Sequence, residues 1–230
     1  AMRSPLLGVV FADDIEKIKL YVKRSTRITH TDPKAYFGAL TIALAARQSA
    51  LGEKTNVTEF QQLISDTLKN EHSLEYERLL QTMVDSVIHN ETLTQFVEKI
   101  GCKHGVSGYT YHTVPCVIHC WLRHQHDFQA GLEELISAGG DTDTTGAIFG
   151  AICGAGVGKA CIPKAWIDDI IDWPRSTAYM ENLAIQLAQA LTGNQSIKPV
   201  RYFIPAIFIR NLFFLSVILL HGFRRLLPPY

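Results

Sequence analysis

An all-α fold in a single domain is what this sequence predicts. Three observations carry that expectation. Nearly every segment shows apolar residues at helical spacing behind a recognisable start signal. No alternating apolar-polar run long enough for a strand occurs. Across 230 residues there is no internal repeat, no low-complexity linker and no composition break that marks a domain boundary.

The elements follow in order. Asp13-Asp14 open a helix running to about Ser25, with Ile15, Ile18 and Val22 on one face at i, i+3, i+7. Asp32-Pro33 sets an N-cap before a proline at the first helical position and launches KAYFGALTIALAARQSA. Thr58 is read as the cap of EFQQLISDTLK. Ser73 caps LEYERLLQTMVDSVIH, where Tyr76 in the third helical position denies a capping box but Glu75 and Glu77 bring negative charge to the first turn. Thr92 starts a short helix ending near Gly101.

A glycine-bearing loop, GCKHGVSGYTYHTVP, comes next, and Pro115 is expected to open CVIHCWLRHQHDF. A helix from about Phe128 to Ala138 leads into Gly139-Gly140, and Asp141 or Asp143 caps the small-residue helix TTGAIFGAICGA. Pro163 opens KAWIDDIID, and Ser176 opens AYMENLAIQLAQALTG. The last segment, FIPAIFIRNLFFLSVILLHGFRR, is the most apolar. Pro205, Arg210 and Asn211 interrupt it, and the unbroken piece Leu212 to Leu220 is half the roughly 20 residues of a membrane span. It is therefore expected to be a buried helix, with membrane contact not expected.

Composition excludes some classes. Lys and Arg balance Asp and Glu at 22 each, so no basic footprint for nucleic acid is present. Five irregularly spaced cysteines point to reduced thiols and a cytoplasmic protein. Three sequons, at Asn56, Asn90 and Asn194, carry little weight without a secretory signal. Cys116, Cys120 and His124 lie at i, i+4, i+8 of one helix face, too long a reach for one tetrahedral zinc, so they are read as packing residues.

The stretch SAGGDTDTTGAIFGAICGAG holds the main candidate site. Asp141, Asp143 and Thr144 stand at i, i+2 and i+3 of a helix start, so their oxygens fall within one turn. Magnesium takes one or two carboxylates plus other oxygens. Asp and Thr are also favoured N-caps, and the spacing alone leaves both readings open. Gly146, Gly150 and Gly154 form a stripe suited to close helix packing. Met2-Arg3 offers a phosphate anchor or a solvated arginine.

At these residues the sequence resembles the ADP-ribosylglycohydrolase family. Gly139 to Thr144, with the small-residue helix behind it, is similar to the family's second metal motif. STRITHTDPKAYFGALTIALAA (residues 25–46) resembles its Ile/Leu-Thr-His segment and following Ala/Gly-rich helix. SGYTYHTVPCVIHCWL (residues 107–122) resembles its Gly-Tyr loop and helix, and AMRSPLLG the segment after its Gly-Asn-Gly turn. The resemblance extends from Ala1 to about Pro174. It implies an orthogonal helical bundle and a dinuclear Mg²⁺ centre with Asp141, Asp143 and Thr144 among its ligands. It places His30 near ADP-ribose, and Ser107, Gly108 and Tyr109 along the substrate cleft. The reaction it implies is hydrolysis of the glycosidic bond between ADP-ribose and a protein side chain or small acceptor.

The family's first metal motif, a Thr/Ser-Asp-Asp-Thr run, and its Gly-Asn-Gly turn are not in this sequence. The chain is thus expected to be an N-terminally truncated member holding half the metal ligands, with no catalytic acid or base assignable. A second chain supplying the missing helices is one expectation. A catalytically inactive module with a structural or ligand-binding role is the alternative.

Overall fold

The computed structural model describes residues 1–69, 71, 73–193, 197–198, 200–201 and 203–226. The Asn194 sequon lies outside them. Among the described residues there are twelve α-helices and no strand, as the sequence predicts. They fall into two compact units, Ala1–Pro163 and Lys164–Tyr230.

The first unit is built around two buried helices. α1 (Ser4–Val10) and α2 (Ile15–Arg27) lead to α3 (Pro33–Ala50). Residues 36–46 of α3 are buried without interruption. A helix apolar all round is stable only when surrounded, and α3 packs against α1, α2, α7 and α9. Contact with α1 is backbone to backbone: a Cβ on Gly8 would lie 1.9 Å from the Ala43 carbonyl oxygen. Nothing larger than glycine fits there.

Around α3 stand α4 (Val57–Thr67), α5 (Leu74–Ile88), α6 (Leu93–Lys99), α7 (Thr110–Arg123), α8 (Phe128–Ser137) and α9 (Thr142–Val157). A 3₁₀ turn at Lys159–Cys161 closes the unit. α7 is the second core helix, with Trp121 fully buried edge-on against Phe60 at 5.4 Å. The Cys116 and Cys120 thiols are buried in it, and burial pushes both well above the usual thiol range. They are packing residues.

Most caps sit where the sequence puts them. Asp14, Asp32 and Ser73 accept the backbone N–H of Lys17, Lys34 and Tyr76 at 3.0, 2.9 and 3.3 Å. Thr92 closes a full capping box with Gln95. Two boundaries differ. Asn56, not Thr58, caps α4, accepting from Thr58 and Glu59. Pro115 does not open its helix but sits inside α7, which begins at Thr110. An interior proline costs about 3 kcal/mol. Burial of Tyr111, Thr113 and Val114 in that first turn, and the Thr113 hydroxyl donating to the Ser107 carbonyl at 2.9 Å, oppose that cost.

The second unit holds α10 (Lys164–Asp168), α11 (Thr177–Thr192) and α12 (Ile204–Arg225). Ser176 caps α11, accepting from Tyr179 at 3.3 Å. The expectation of a buried last helix is overturned: α12 buries only Ala206, and α11 buries no residue. Apolar composition suits a helix to a dry environment but does not supply one.

Candidate functional site

The site begins with two loops locked together. Gly105 and Gly140 have φ of +100° and +83°, and a Cβ on Gly140 would meet the Val106 carbonyl oxygen at 2.2 Å. Glycine at these positions lets the strands of chain touch. Val106 N–H donates to the Gly139 carbonyl at 3.1 Å, and Asp141 N–H donates to the Val106 carbonyl at 2.7 Å. The result is an isolated parallel bridge between Val106 and Gly140. It sets Asp141 against the Ser107–Tyr109 loop, where a Cβ on Gly108 would lie 2.8 Å from Asp141 Oδ2.

Asp141 occupies the N-cap position of α9 without making a side-chain cap. Its carbonyl accepts the first intrahelical bond, from the Thr145 N–H at 3.1 Å, and also the Thr145 hydroxyl at 2.9 Å. Asp143 Oδ1 accepts the Thr144 N–H at 2.9 Å. The Asp143 carboxyl is held below the usual carboxylate range, first by its hydrogen bond with Asp141 and then by the Thr144 N–H. Asp141 and Asp143 thus lie two residues apart in the first turn, at the positive end of a helix.

These donors fit part of the shell of a hard cation: two carboxylates and the Thr144 hydroxyl, with an octahedral ion needing further oxygens.

A cleft of ≈ 350 Å³ opens beside this turn. That volume suits a small organic ligand. Gly108, Thr110, Thr144 and Ile148 form one wall, and Arg3, Thr26, Thr29 and His30 another. The structure thus brings His30, Gly108 and Thr144 to one cavity, from three segments far apart in sequence. Arg3 Nη2 donates to the Ser25 carbonyl and the Thr29 hydroxyl, each at 3.2 Å. Thr29 Oγ1 lies 2.8 Å from His30 Nδ1. Arg3 is a wall of the cleft rather than a freely solvated end.

Ser107 and Tyr109 are placed differently from Gly108. Ser107 Oγ lies 2.8 Å from His112 Nδ1 and accepts the Tyr109 N–H at 3.2 Å, fixing the turn into α7. Tyr109 lines a neighbouring hollow with Glu75, Tyr111 and His112. Lys34 donates to its hydroxyl at 3.0 Å and to Glu75 at 2.8 Å. These partners, Glu75 first, raise the Lys34 ammonium well above its ordinary range.

The glycine stripe of α9 faces α8. Cβ atoms at Gly146 and Gly150 would meet Leu132 at 3.3 Å and Phe128 at 3.6 Å, so close packing is its use. Away from the site, Cys120, His124 and Glu134 converge with ligand-type atoms. Each is already engaged: Cys120 Sγ donates to the Gly131 carbonyl at 3.2 Å, and Glu134 holds Arg123 and His124 at 2.6 Å each. The Arg123 charge beside them opposes a cation, so this is a structural cluster.

The sequence pattern of the ADP-ribosylglycohydrolase family matches residues 1–197. This chain belongs to the ADP-ribosylglycohydrolase family. An uncharacterized protein of Archaeoglobus fulgidus is 30% identical over 189 residues, covering 81% of this chain and 56% of the relative. The proteins named ADP-ribosylhydrolase ARH3 from Bos taurus and Gallus gallus are 25% and 27% identical, each covering 72% of this chain and 51% of the relative. The chain spans about half the length of the curated relatives it matches.

Sequence reasoning about the family's loops finds the residues of the Gly139–Thr144 turn. It does not find Thr26 and Thr110 on helices, or Thr29 in the turn after α2, whose only signal is a hydroxyl that tertiary packing brings to the cleft.

Proposed function

We propose that this chain is the cation- and ADP-ribose-holding part of a hydrolase that cleaves the glycosidic bond between ADP-ribose and a protein side chain or small acceptor. The cation is Mg²⁺. One observation carries the reading: Asp141, set against Gly108, and Asp143, hydrogen-bonded to the Thr144 N–H, stand beside a cleft that Thr144, Gly108 and His30 line together. Membership of the family supports the substrate class.

Asp141, Asp143 and Thr144 would hold the ion. When bound, Mg²⁺ supplies a Lewis acid that fixes ribose hydroxyls and orients a water. The rest is done by the chain. Gly108 keeps the loop low enough for a sugar to approach Asp141. Arg3 presents a guanidinium, the natural complement to a phosphate oxygen. His30, with Nδ1 turned to Thr29, presents Nε2 to a ligand. The threonines of both walls offer hydroxyl donors and acceptors that align the ligand.

A second reading has one observation in its favour. Among the described residues, no third His, Cys, Asp or Glu converges on Asp141 and Asp143. A module that binds ADP-ribose or cation without turnover needs no more than this.

Calorimetric titration of Mg²⁺, with and without ADP-ribose, tests both. Wild type is expected to release heat, and Asp143→Ala to lose at least about tenfold in affinity, the worth of one charged ligand at about 1.4 kcal/mol. Turnover of ADP-ribosylated arginine supports the hydrolase, and binding without turnover supports the module. Absence of heat in the wild type removes the site.

A further inference from the structure

The second unit carries a feature that cation and nucleotide chemistry do not use. We propose that α12 inserts into a lipid bilayer containing anionic headgroups, so that Lys164–Tyr230 acts as a membrane anchor. This stands independently of the proposed function.

Length is the first argument. Ile204–Arg225 has 22 residues and a mean hydropathy of 1.9 over its most apolar window. At the α-helical rise it is about 33 Å long, against a hydrocarbon core of about 30 Å.

Exposure is the second. Two ordinary explanations of such a helix are a protein core and an N-terminal signal. Only 6% of the apolar window is buried, and the helix starts at residue 204.

Direction is the third. Phe208, Leu212, Phe213, Phe214, Val217 and Ile218 point to different sides of the helix, and each is at least 44% exposed. A docked protein covers one stripe of a helix. A bilayer covers every side, and an all-round apolar surface is what it selects.

Charge decides the kind of bilayer. From Asn182 to Tyr230 the sequence has no Asp or Glu, but it has Lys198, Arg201, Arg210, Arg224 and Arg225. Lys164–Tyr230 as a whole has seven Lys and Arg against four Asp and Glu, a net charge of +3, and all four acids precede residue 182. Cations near the ends of an inserted helix attract phosphatidylserine-type lipids. Arg210 is the one charge well inside the helix. Asp172 pairs with it at 2.6 Å, and its guanidinium lies 4.6 Å from the centre of the Phe214 ring. Both contacts lower the cost of carrying that charge towards the interface. Trp173, beside Asp172 in sequence, is 55% exposed, a residue type that suits the headgroup region.

The test is cell-free synthesis of the full chain in the presence of vesicles, followed by flotation. Wild type is expected to float with phosphatidylcholine/phosphatidylserine vesicles and to remain bound in high salt and at alkaline pH. Capture by pure phosphatidylcholine vesicles is expected to be several-fold weaker. The double variant Leu215→Glu, Leu219→Glu is expected to lose at least about tenfold of the bound fraction. Both side chains are half exposed, so the variant leaves the first unit's packing untouched. Wild type that fails to float with either vesicle overturns the proposal. So does a variant that floats as well as wild type. Discrete soluble oligomers of wild type that ignore vesicles would identify α12 as a contact between copies of the chain instead.

Discussion

The two units put their apolar sequence to opposite ends. In Ala1–Pro163, α2, α4 and α5 each bury one apolar face, while α3 and α7 are enclosed. In Lys164–Tyr230, α11 and α12 are regular, capped or proline-started, and nearly unburied. Helix formation and core formation are thus separate events. Start signals and propensity make the helix. Only a complementary surface makes it part of a core.

Single substitutions can break or sharpen that contrast. The largest effect is expected in the first unit's core. Trp121→Ala should cost about 3–5 kcal/mol in urea unfolding, whereas Leu215→Ala on α12 should change the same transition by less than about 0.5 kcal/mol. Equal effects would show that α12 shares the core after all.

His119 gives the next largest. It is fully buried, stacked on Phe96 at 4.7 Å, with Nε2 3.1 Å from the Ser86 hydroxyl. Burial pushes its pKa down to about 4. The folded state therefore holds fewer protons than the unfolded state between the ordinary histidine value of about 6.5 and about 4. Stability present above that window is lost as pH falls through it, by roughly 3 kcal/mol in all. In paired pH titrations of urea midpoints, His119→Gln should remove this slope and leave the carboxylate-driven part of acid unfolding intact. An unchanged slope would place the titrating group elsewhere.

The smallest effect lies at the site. Gly140→Ala puts a Cβ into a left-handed backbone against the Val106 carbonyl oxygen. Its cost is about 1–2 kcal/mol for the backbone alone. Mg²⁺ heat should fall further than this loss explains, because Asp141 moves with the loop. Retention of full affinity would detach the bridge from ion binding.

Much of the fold was legible because it is written locally. Asp14, Asp32, Ser73, Thr92 and Ser176 each announce a helix through a short polar side chain before an apolar period, and each caps one. Asn56 and Thr58 are both good caps two residues apart, and the local signal does not rank them. Pro115 misled because proline's preference for a first turn is a local rule, while α7 is held by what Tyr111, Val114 and Trp121 touch across the core. The cleft was the least legible part. His30 and Thr144 meet only because α2 and α9 both pack on α3, and no spacing along the chain encodes that.

The Val106–Gly140 bridge also has a consequence for how such a chain tolerates change. Two hydrogen bonds from a single residue pin both sides of the turn that carries Asp141. Lengthening either segment by even one amino acid would slip that register and swing the acidic pair out of alignment with the wall opposite. Exchange of side chains in the two loops is therefore compatible with this register, whereas a change in the length of either is not.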